Sequence, residues 1–271
     1  MSAEADVARA PGGADAHRPL AGRVALISGA GSGIGAGIAR RFLAAGARVH
    51  GIGRRVEALR SVAPDALEAG TFVPHPIDVT DKAAVDELTG KLAEDDPIDI
   101  LVCAAGINIT DRRFHQLTDE SFDEVVQTNL TGVFRLMRAT MDQIRQRQGD
   151  IVLISSIAAA WPDHSGAAYG ASKSALLGLA RGASRDEHVH GVRVCTILPG
   201  IVDTPILDRR PSPPPDEVRA LCLQPEDVAE AALCAVSLPN RANMAEISLV
   251  ATRLQSLGNT QQATPPLPSA R

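Results

Sequence analysis

The only tyrosine of this 271-residue chain stands four residues before a lysine, in the stretch YGASK at residues 169–173. Side chains four apart in an α-helix are neighbours on one face, so the spacing predicts a phenol beside an ammonium group. A tyrosine has a pKa of about 10, but a nearby positive charge favours the phenolate. The pair can therefore exchange a proton with a ligand, although a packed ring beside a solvated amine is the commoner meaning of this spacing.

A glycine-rich turn, within SGAGSGIGAGIARRF, lies between a short apolar run and an Ala-rich helical pattern. Glycine lets the backbone approach a ligand closely, and the exposed amides at the start of a helix attract a pyrophosphate. A tight connection could use the same residues, but a strand before the turn and a helix after it favour a dinucleotide site. We expect the cofactor to contact Gly29, Gly31, Ser32, Gly33, Ile34 and Gly35.

The end of the second predicted strand indicates which dinucleotide is bound. An NAD site usually places Asp or Glu there, on the ribose 2′-hydroxyl. No acidic residue occurs from Ala30 to Val56, and the strand ends in Gly53-Arg54-Arg55. Because arginine pairs bidentately with phosphate, the sequence favours NADP(H), with Arg54 as first choice and Arg55 as second. The alternative is that both arginines are solvated surface charges.

Seven short Val/Ile-rich runs alternate with helical patterns along the chain. Runs of consecutive apolar residues are typical of strands buried on both faces, as in a parallel sheet. The sequence predicts an α/β fold, a doubly wound, seven-stranded parallel Rossmann-like sheet with helices on both faces. The runs cover residues 24–29, 48–53, 71–78, 99–106, 150–156, 192–200 and 245–252.

Composition narrows the function classes. The net charge is −5 and no basic block occurs, which makes a nucleic-acid partner a poor fit. No run approaches a membrane span, and the N-terminus lacks a signal-peptide pattern, so we expect a cytoplasmic protein that binds no membrane. The four cysteines lack metal-ligand spacing and are predicted to be buried and reduced, with no metal site. We expect a mobile arm over 1–20, one domain over 21–257 and a mobile tail over 258–271.

Together these features resemble the short-chain dehydrogenase/reductase family, in its single-domain form of about 250 residues. The resemblance covers residues 22 to 252 and rests on seven motifs in order: SGAGSGIG, DVT, CAAG, TNLTG, ISS, YGASK and PGIVDT. It implies a catalytic set of Asn129, Ser156, Tyr169 and Lys173. In that set Tyr169 would exchange the proton, Lys173 would hold the nicotinamide ribose, Ser156 would bind the substrate oxygen and Asn129 would hold a water.

The resemblance extends the expected cofactor contacts beyond the glycine-rich turn. It implies contacts near the adenine and the nicotinamide by Asp78, Val79, Ala105, Gly106, Pro199, Gly200, Val202 and Thr204, besides Tyr169 and Lys173. The chain departs from the family where Ser28 replaces a usual threonine and Cys103-Ala104 replace a usual Asn-Asn. Those changes affect bracing of the strands more than chemistry.

The substrate is less clearly indicated. The segments after the fourth and fifth strands carry polar side chains, and these favour a small sugar-, cyclitol- or metabolite-like ketone over an apolar one. The candidate substrate contacts are Asn108, Trp161, Asp163 and His164, although each could face solvent. The Pro-rich segment that follows PGIVDT is a plausible lid.

Several functions remain open on sequence alone. The first is an NADP(H)-dependent carbonyl reductase. An NAD-dependent alcohol dehydrogenase or a 3-oxoacyl-type reductase of the same family is an alternative, and a non-catalytic dinucleotide sensor or scaffold is a further one. A sugar-nucleotide epimerase or dehydratase would need an added C-terminal domain. Long helical patterns with apolar residues on more than one face also predict a homodimer or homotetramer.

Overall fold

The computed structural model describes residues 18–161 and 164–254. Within these ranges seven strands form one sheet, every neighbouring pair is parallel, and the order is β3-β2-β1-β4-β5-β6-β7. This confirms the predicted Rossmann-like sheet. The strands are β1 (Val24–Ser28), β2 (Arg48–Ile52), β3 (Phe72–His75), β4 (Ile100–Cys103), β5 (Asp150–Ile154), β6 (Arg193–Pro199) and β7 (Glu246–Leu249).

The central strands are apolar on consecutive residues because helices cover both faces of the sheet. Every residue of β1, β4, β5 and β6 is buried, whereas the edge strand β7 alternates between exposed and half-buried positions. The helices are α1 (Gly33–Ala44), α2 (Val56–Arg60), α3 (Pro64–Glu68), α4 (Lys82–Asp95), α5 (Asp119–Val126), α6 (Gly132–Arg147), α7 (Ala167–Glu187), α8 (Asp216–Arg219) and α9 (Pro225–Ser237).

Two hydrophobic layers sandwich the sheet. On one face, Phe42 of α1 and Ala232 of α9 belong to a cluster of buried aliphatic residues. On the other face, Leu88 of α4, Leu136 of α6 and Leu176 of α7 form the second cluster. The cores contain mostly Ala, Val, Leu and Ile, as the 3% aromatic content requires.

The sheet reverses its direction of growth beside β1, which pairs with β2 on one side and β4 on the other. In open parallel sheets, ligands bind at the carboxyl ends of the strands where the strand order reverses. The loops after β1, β4, β5 and β6 therefore meet at one edge of the sheet. Most of the predicted catalytic and cofactor-binding residues lie at that edge.

Some boundary and burial predictions differ from the structure. Leu20, assigned to the N-terminal arm, is fully buried and its amide donates to the carbonyl of Ala45 at 2.9 Å. Residues 1–17 of the arm and the tail, with residues 255–257 before it, lie outside the described ranges. Three cysteines are buried as expected, but Cys234 is exposed because it occupies an outward position of α9. No helix of the described chain is long and apolar enough to cross a membrane.

Candidate active site

A cleft of about 480 Å³ opens at the carboxyl edge of the sheet, and a smaller chamber of about 170 Å³ adjoins it. The two share Gly29, Ser32, Arg54, Arg55, Ala105, Gly106 and Ile107 in their walls. The larger cleft continues past Tyr169 to the segment after β6, and the smaller chamber reaches Asp78 and Val79. Most of the sequence-predicted contacts therefore line one continuous hollow.

The glycine-rich turn connects β1 to α1 at the middle of this hollow. Gly29 has a φ of +69°, and a Cβ at that position would lie 2.7 Å from the amide nitrogen of Ala105. Ser32 precedes α1 in an extended conformation and its side chain does not cap the helix. The first turn of α1 contains no acidic residue. Its amides, which have no acceptor within the helix, therefore suit an anionic ligand.

Two exposed arginines follow β2 and line both parts of the hollow. The Nη1 of Arg54 lies 4.0 Å from Oδ2 of Asp78. The other oxygen of Asp78 accepts from the amide and the hydroxyl of Thr80, at 2.9 and 2.8 Å. A solvent-exposed pair at this separation is weak, so Arg54 can reorient toward a ligand.

Tyr169 and Lys173 lie one turn apart in α7, as their spacing predicts, and both line the cleft. The Lys173 ammonium lies 5.7 Å from the centre of the Tyr169 ring and donates to the carbonyl of Ile154 at 2.8 Å. Burial lowers the pKa of Lys173 to about 8, because the charged amine loses its hydration. The neighbouring Cys103 is also buried, and its pKa rises to about 12 for the same reason.

Asn129 lies in a π-helical turn, Gln127–Thr131, that joins α5 to α6. Its side chain is fully buried, accepts from the amide of Ile107 at 2.8 Å and donates to the Ile107 carbonyl at 3.0 Å and to Ser172 Oγ at 3.1 Å. A Cβ on Gly106 would lie 3.3 Å from Lys173 Nζ and 3.4 Å from Asn129 Oδ1. The glycine thus keeps space open between the amine and the amide.

The two adjacent serines after β5 have different environments. Ser155 is buried and its hydroxyl donates to the carbonyl of Lys173 at 2.8 Å, which fixes α7 against the sheet. Ser156 is half-buried, lines the cleft, and its Oγ accepts from the amide of Ala158 at 3.1 Å. Ser156 is therefore the serine whose hydroxyl hydrogen can point toward a ligand.

The loop after β6 closes the cleft opposite α7. Its predicted contacts Pro199, Gly200, Val202 and Thr204 all line the cleft. A Cβ on Gly33 would lie 3.1 Å from Cγ2 of Thr204, so this loop packs directly on the glycine-rich turn. The predicted lid begins with a 3-10 helix, Pro205–Arg209, whose Ile206 and Leu207 line the same cleft.

The predicted substrate residues are mostly not brought together. Asn108 lines the cleft, but its amide donates to the Ser165 carbonyl at 3.0 Å and its oxygen accepts from the Ile109 amide at 2.8 Å. Trp161 and His164 do not line the cleft, His164 is exposed, and Asp163 lies outside the described residues.

Other residues form that end of the cleft. They include Arg112, Ser165, Arg209 and Arg210, which lie in the polar and Pro-rich segments expected at the pocket but were not among the candidate substrate contacts. Only the position of their segments after strands could have indicated them.

Ser28, which replaces the family's usual threonine, retains the bracing role of a hydroxyl. It is buried, and its Oγ accepts from the amide of Ala105 at 3.2 Å. This bond joins the end of β1 to the chain after β4, across the strand pair that flanks the cleft.

Comparison with known proteins gives a consistent result. The sequence model described as short chain dehydrogenase matches residues 23–214. An uncharacterised oxidoreductase of Staphylococcus haemolyticus is 34% identical over 85% of this chain and 97% of its own length. The closed form of a serine dehydrogenase complexed with NADP+ is 30% identical, covers 87% of this chain and 97% of its own, and has a TM-score of 0.79. An alcohol dehydrogenase of the archaeon Thermococcus sibiricus, complexed with 5-hydroxy-NADP, is 28% identical over 86% of this chain and 98% of its own, with a TM-score of 0.77.

Proposed function

Since the chain belongs to the short-chain dehydrogenase/reductase family, we propose that it is an NADP(H)-dependent oxidoreductase that interconverts a carbonyl and a secondary alcohol. One observation carries this proposal: Tyr169 and the buried Lys173 line a cleft that also contains Ser156 and the glycine-rich turn. A silent dinucleotide sensor would not need the proton-exchanging pair.

The hollow fits a dinucleotide in its donor chemistry. The start of α1 offers backbone amides without a competing carboxylate, and Arg54 and Arg55 flank the smaller chamber. Family membership alone does not separate NADP from NAD, so the cofactor assignment rests on the two arginines and on the absence of an acidic residue after β2. When bound, the reduced nicotinamide supplies a hydride to the carbonyl carbon.

Tyr169 supplies the other half of the reduction, since its hydroxyl donates a proton to the carbonyl oxygen as negative charge develops there. The product is then a neutral alcohol and the tyrosine is left as phenolate. The Lys173 charge favours that phenolate, and the Ser156 hydroxyl donates a hydrogen bond to the substrate oxygen. Alcohol oxidation uses the same groups in reverse, with the phenolate as base.

Reprotonation of Tyr169 requires a path from solvent. Lys173 is 4% exposed and burial lowers its pKa to about 8, so its own proton is held less tightly than that of a surface lysine. The space beside Gly106, between Lys173 and Asn129, suits a water molecule that relays this proton. Asn129 would orient that water while its bonds to Ile107 hold the π-helical turn in place.

The substrate we propose is a small polar carbonyl compound or the matching alcohol. The cleft offers serine, asparagine and arginine residues beside a few aliphatic side chains, which suits a short polar molecule better than a sterol. The structural neighbour named serine dehydrogenase is named for a substrate of this kind. A 3-oxoacyl substrate is the second candidate, because Ile157, Ile206 and Leu207 could cover a short aliphatic chain.

The test is turnover by the purified chain with NADPH or NADP+ and a panel of ketones and alcohols. Tyr169→Phe removes the proton donor, and kcat should fall by roughly 10²–10⁴-fold, the range for a general acid. NADPH affinity, measured by fluorescence titration, should stay near the wild-type value. The mechanism is wrong if the phenylalanine variant keeps more than about a third of the wild-type kcat, well outside that range.

We also propose that the chain assembles into a homodimer or homotetramer. Phe122 on α5 and Phe134 on α6 are 39% and 48% exposed, although they are large apolar residues. A subunit interface over α5 and α6 would bury them. Light scattering at micromolar concentration should give a multiple of the 28.4 kDa chain mass. A monomeric mass there contradicts the proposal.

A further inference from the structure

The end of the cleft beyond Tyr169 is basic on both of its walls. Arg112 comes from the loop after β4, whereas Arg209 and Arg210 come from the segment after β6, and all three line the cleft. Within the described residues that line the cleft there is no Asp or Glu. We propose that Arg112, supported by this pair, binds a carboxylate group of the substrate. The inference rests on the proposed oxidoreductase function and narrows its substrate to a short hydroxy or keto acid.

Arg112 is held close to the proton-exchanging tyrosine. Gly166 has a φ of +89°, and a Cβ there would lie 2.4 Å from the Arg112 carbonyl oxygen and 2.7 Å from its Cβ. The backbone of Arg112 therefore packs directly on the residue that precedes α7. The Gly170 amide donates to the Gly166 carbonyl at 2.9 Å, so Tyr169 lies within the first turn after this contact.

Arg112 also connects the two walls of the cleft. Its side chain is 6% exposed, and Nη2 donates to the main-chain carbonyl of Arg209 at 2.7 Å. Thr110 Oγ1 donates to the same carbonyl at 3.4 Å. This link ties the loop after β4 to the segment after β6, whose Arg209 and Arg210 also line the cleft. The guanidinium is planar, always charged, and matches a carboxylate in a bidentate geometry.

The other side chains at this end of the cleft indicate what the rest of the substrate looks like. The side chain of Asn108 is hydrogen-bonded to the main chain of Ser165 and Ile109, so it shapes the wall of the cleft. The arginines supply the positive charge of that wall. Ile107, Ile206 and Leu207 add apolar surface to the same cleft. A two- to four-carbon skeleton with a carboxylate at one end and a carbonyl or hydroxyl at the other suits such a site.

Two other roles for Arg112 must be separated from substrate binding. It could be a purely structural link between the walls, or it could contact the pyrophosphate of the cofactor. A structural link would affect charged and neutral substrates equally. A cofactor contact would change the affinity for NADP+ itself. Matched substrates that differ only in charge distinguish all three roles.

The experiment measures oxidation of 3-hydroxybutanoate and of its methyl ester with NADP+. Wild-type kcat/KM should favour the acid. In Arg112→Gln it should fall by roughly 10- to 100-fold for the acid, the range for losing a charge-assisted hydrogen bond, and change little for the ester. Arg112→Lys should lose part of this preference. Arg209→Gln keeps the main-chain carbonyl that accepts from Arg112, so it tests charge without removing the link.

Arg113→Gln is the matched control, because Arg113 is exposed, follows Arg112 directly and does not line the cleft. A second measurement uses calorimetry, with 3-hydroxybutanoate titrated into NADP+-loaded Tyr169→Phe protein. Binding should weaken when Arg112→Gln is added to that variant. This measurement does not depend on turnover.

Four outcomes overturn the inference. They are equal losses for acid and ester, weaker NADP+ binding in Arg112→Gln, a wild-type preference for the ester, and no calorimetric effect of the substitution. The proposed function has a separate criterion. If the panel contains substrates but none is acidic, the oxidoreductase proposal stands and the carboxylate site does not. If no carbonyl or alcohol turns over, the proposed function fails, and the calorimetry decides whether the anion site exists.

Discussion

The two ends of the parallel sheet both contain charged residues close to the core, but the charges are arranged differently. At the amino end, Asp150 is 3% exposed and accepts from Arg193 Nε at 2.7 Å and from Arg23 Nη2 at 2.6 Å. Asp99 is fully buried there and accepts from Arg147 Nε at 3.0 Å and from the Val24 amide at 2.9 Å. At the carboxyl end, the described lining of the cleft has five arginines and one lysine but no carboxylate.

The difference teaches how to tell structural charge from functional charge. Burying a charge costs free energy unless an opposite charge and hydrogen bonds compensate it inside the protein. The amino end supplies that compensation itself, so its charges hold strands and loops together. At the carboxyl end, several arginines and Lys173 line the cleft, which suits the anions that we propose it binds. Substitutions at the two ends should therefore affect different measurements.

The largest effect should come from Lys173→Met. We expect kcat/KM to fall by roughly 10²–10⁴-fold, since the phenolate of Tyr169 loses its neighbouring charge. The thermal midpoint should stay the same or rise, because a desolvated ammonium is replaced by an apolar chain of similar length. Lys91→Met is the control, as that lysine is 68% exposed and pairs with Glu87 one turn away. If Lys173→Met lowers the thermal midpoint but keeps its activity, Lys173 stabilises the fold and does not take part in proton exchange.

Asp150→Asn should give the opposite pattern. It keeps the shape of the side chain but leaves Arg193 and Arg23 without their carboxylate, and removing one member of a buried pair costs about 3–5 kcal/mol of unfolding free energy. Urea denaturation measures the loss, and kcat of the folded fraction should be unchanged. The matched control is Asp142→Asn, whose partner Arg145 lies at the surface with it. Equal stability of the two variants would contradict the proposed role of the amino end.

Arg54→Asp should lower the affinity for NADPH without changing the stability of the fold. Replacing the cation with an anion is expected to weaken NADPH by roughly 10- to 100-fold, while NADH binding changes little. Arg60→Asp provides the control, since Arg60 is exposed near the same strand but lines neither chamber. Equal affinities of the wild type for NADH and NADPH would remove the basis of the cofactor assignment.

The smallest effect should come from a pair of histidines, His50 on β2 and His75 on β3. This pair belongs to neither of the two charged ends of the sheet. When both rings are neutral, His50 Nε2 donates to Asp96 at 2.8 Å, and His50 Nδ1 accepts from His75 Nε2 at 2.9 Å. Both rings cannot be charged, because two N–H groups would then face each other. Burial lowers the pKa of His50, and it lowers the pKa of His75 from 6.5 to about 4.

Protonation of this pair should make stability depend on pH. Between pH 6.5 and about 4 the unfolded chain binds more protons than the folded one, so stability rises with pH in that window and falls as pH drops through it. We expect a slope of at most about 1.4 kcal/mol per pH unit for each histidine, measured by urea denaturation at pH 5 and 7.5. His75→Gln should flatten it and the exposed control His115→Gln should not. An unchanged slope in His75→Gln would exclude the pair as its source.

Much of the fold could be predicted from the chain because the relevant interactions are local or strongly patterned. Strands buried on both faces need consecutive apolar residues, so all seven runs corresponded to strands. Their ends were less predictable. The run at 99–106 gives a strand that ends at Cys103, because Ala105 and Gly106 leave the sheet to line the cleft.

The chemistry of the site was also local in part. The turn at Gly29 to Gly35 covers seven consecutive residues, and Tyr169 and Lys173 are one helical turn apart. Over such short stretches the geometry of a helix or a tight connection fixes the distances. Predictions for the substrate end depended instead on which loops meet. Trp161 and His164 were chosen because they follow a strand, but neither lines the cleft. A position after a strand does not determine the direction of a side chain.

The amino-acid sequence by itself determined the parallel sheet, the turn that suits a dinucleotide and the tyrosine beside its lysine, since each follows from spacing along a few residues. Only the tertiary structure decided that Arg112 meets the carbonyl of Arg209, 97 residues away, and that Asp150 accepts from Arg23, the residue before β1. Such contacts depend on how strands order and how loops pack above them. The order of the strands and the packing of the loops cannot be deduced from a periodic pattern in the sequence, because they are properties of the packed sheet.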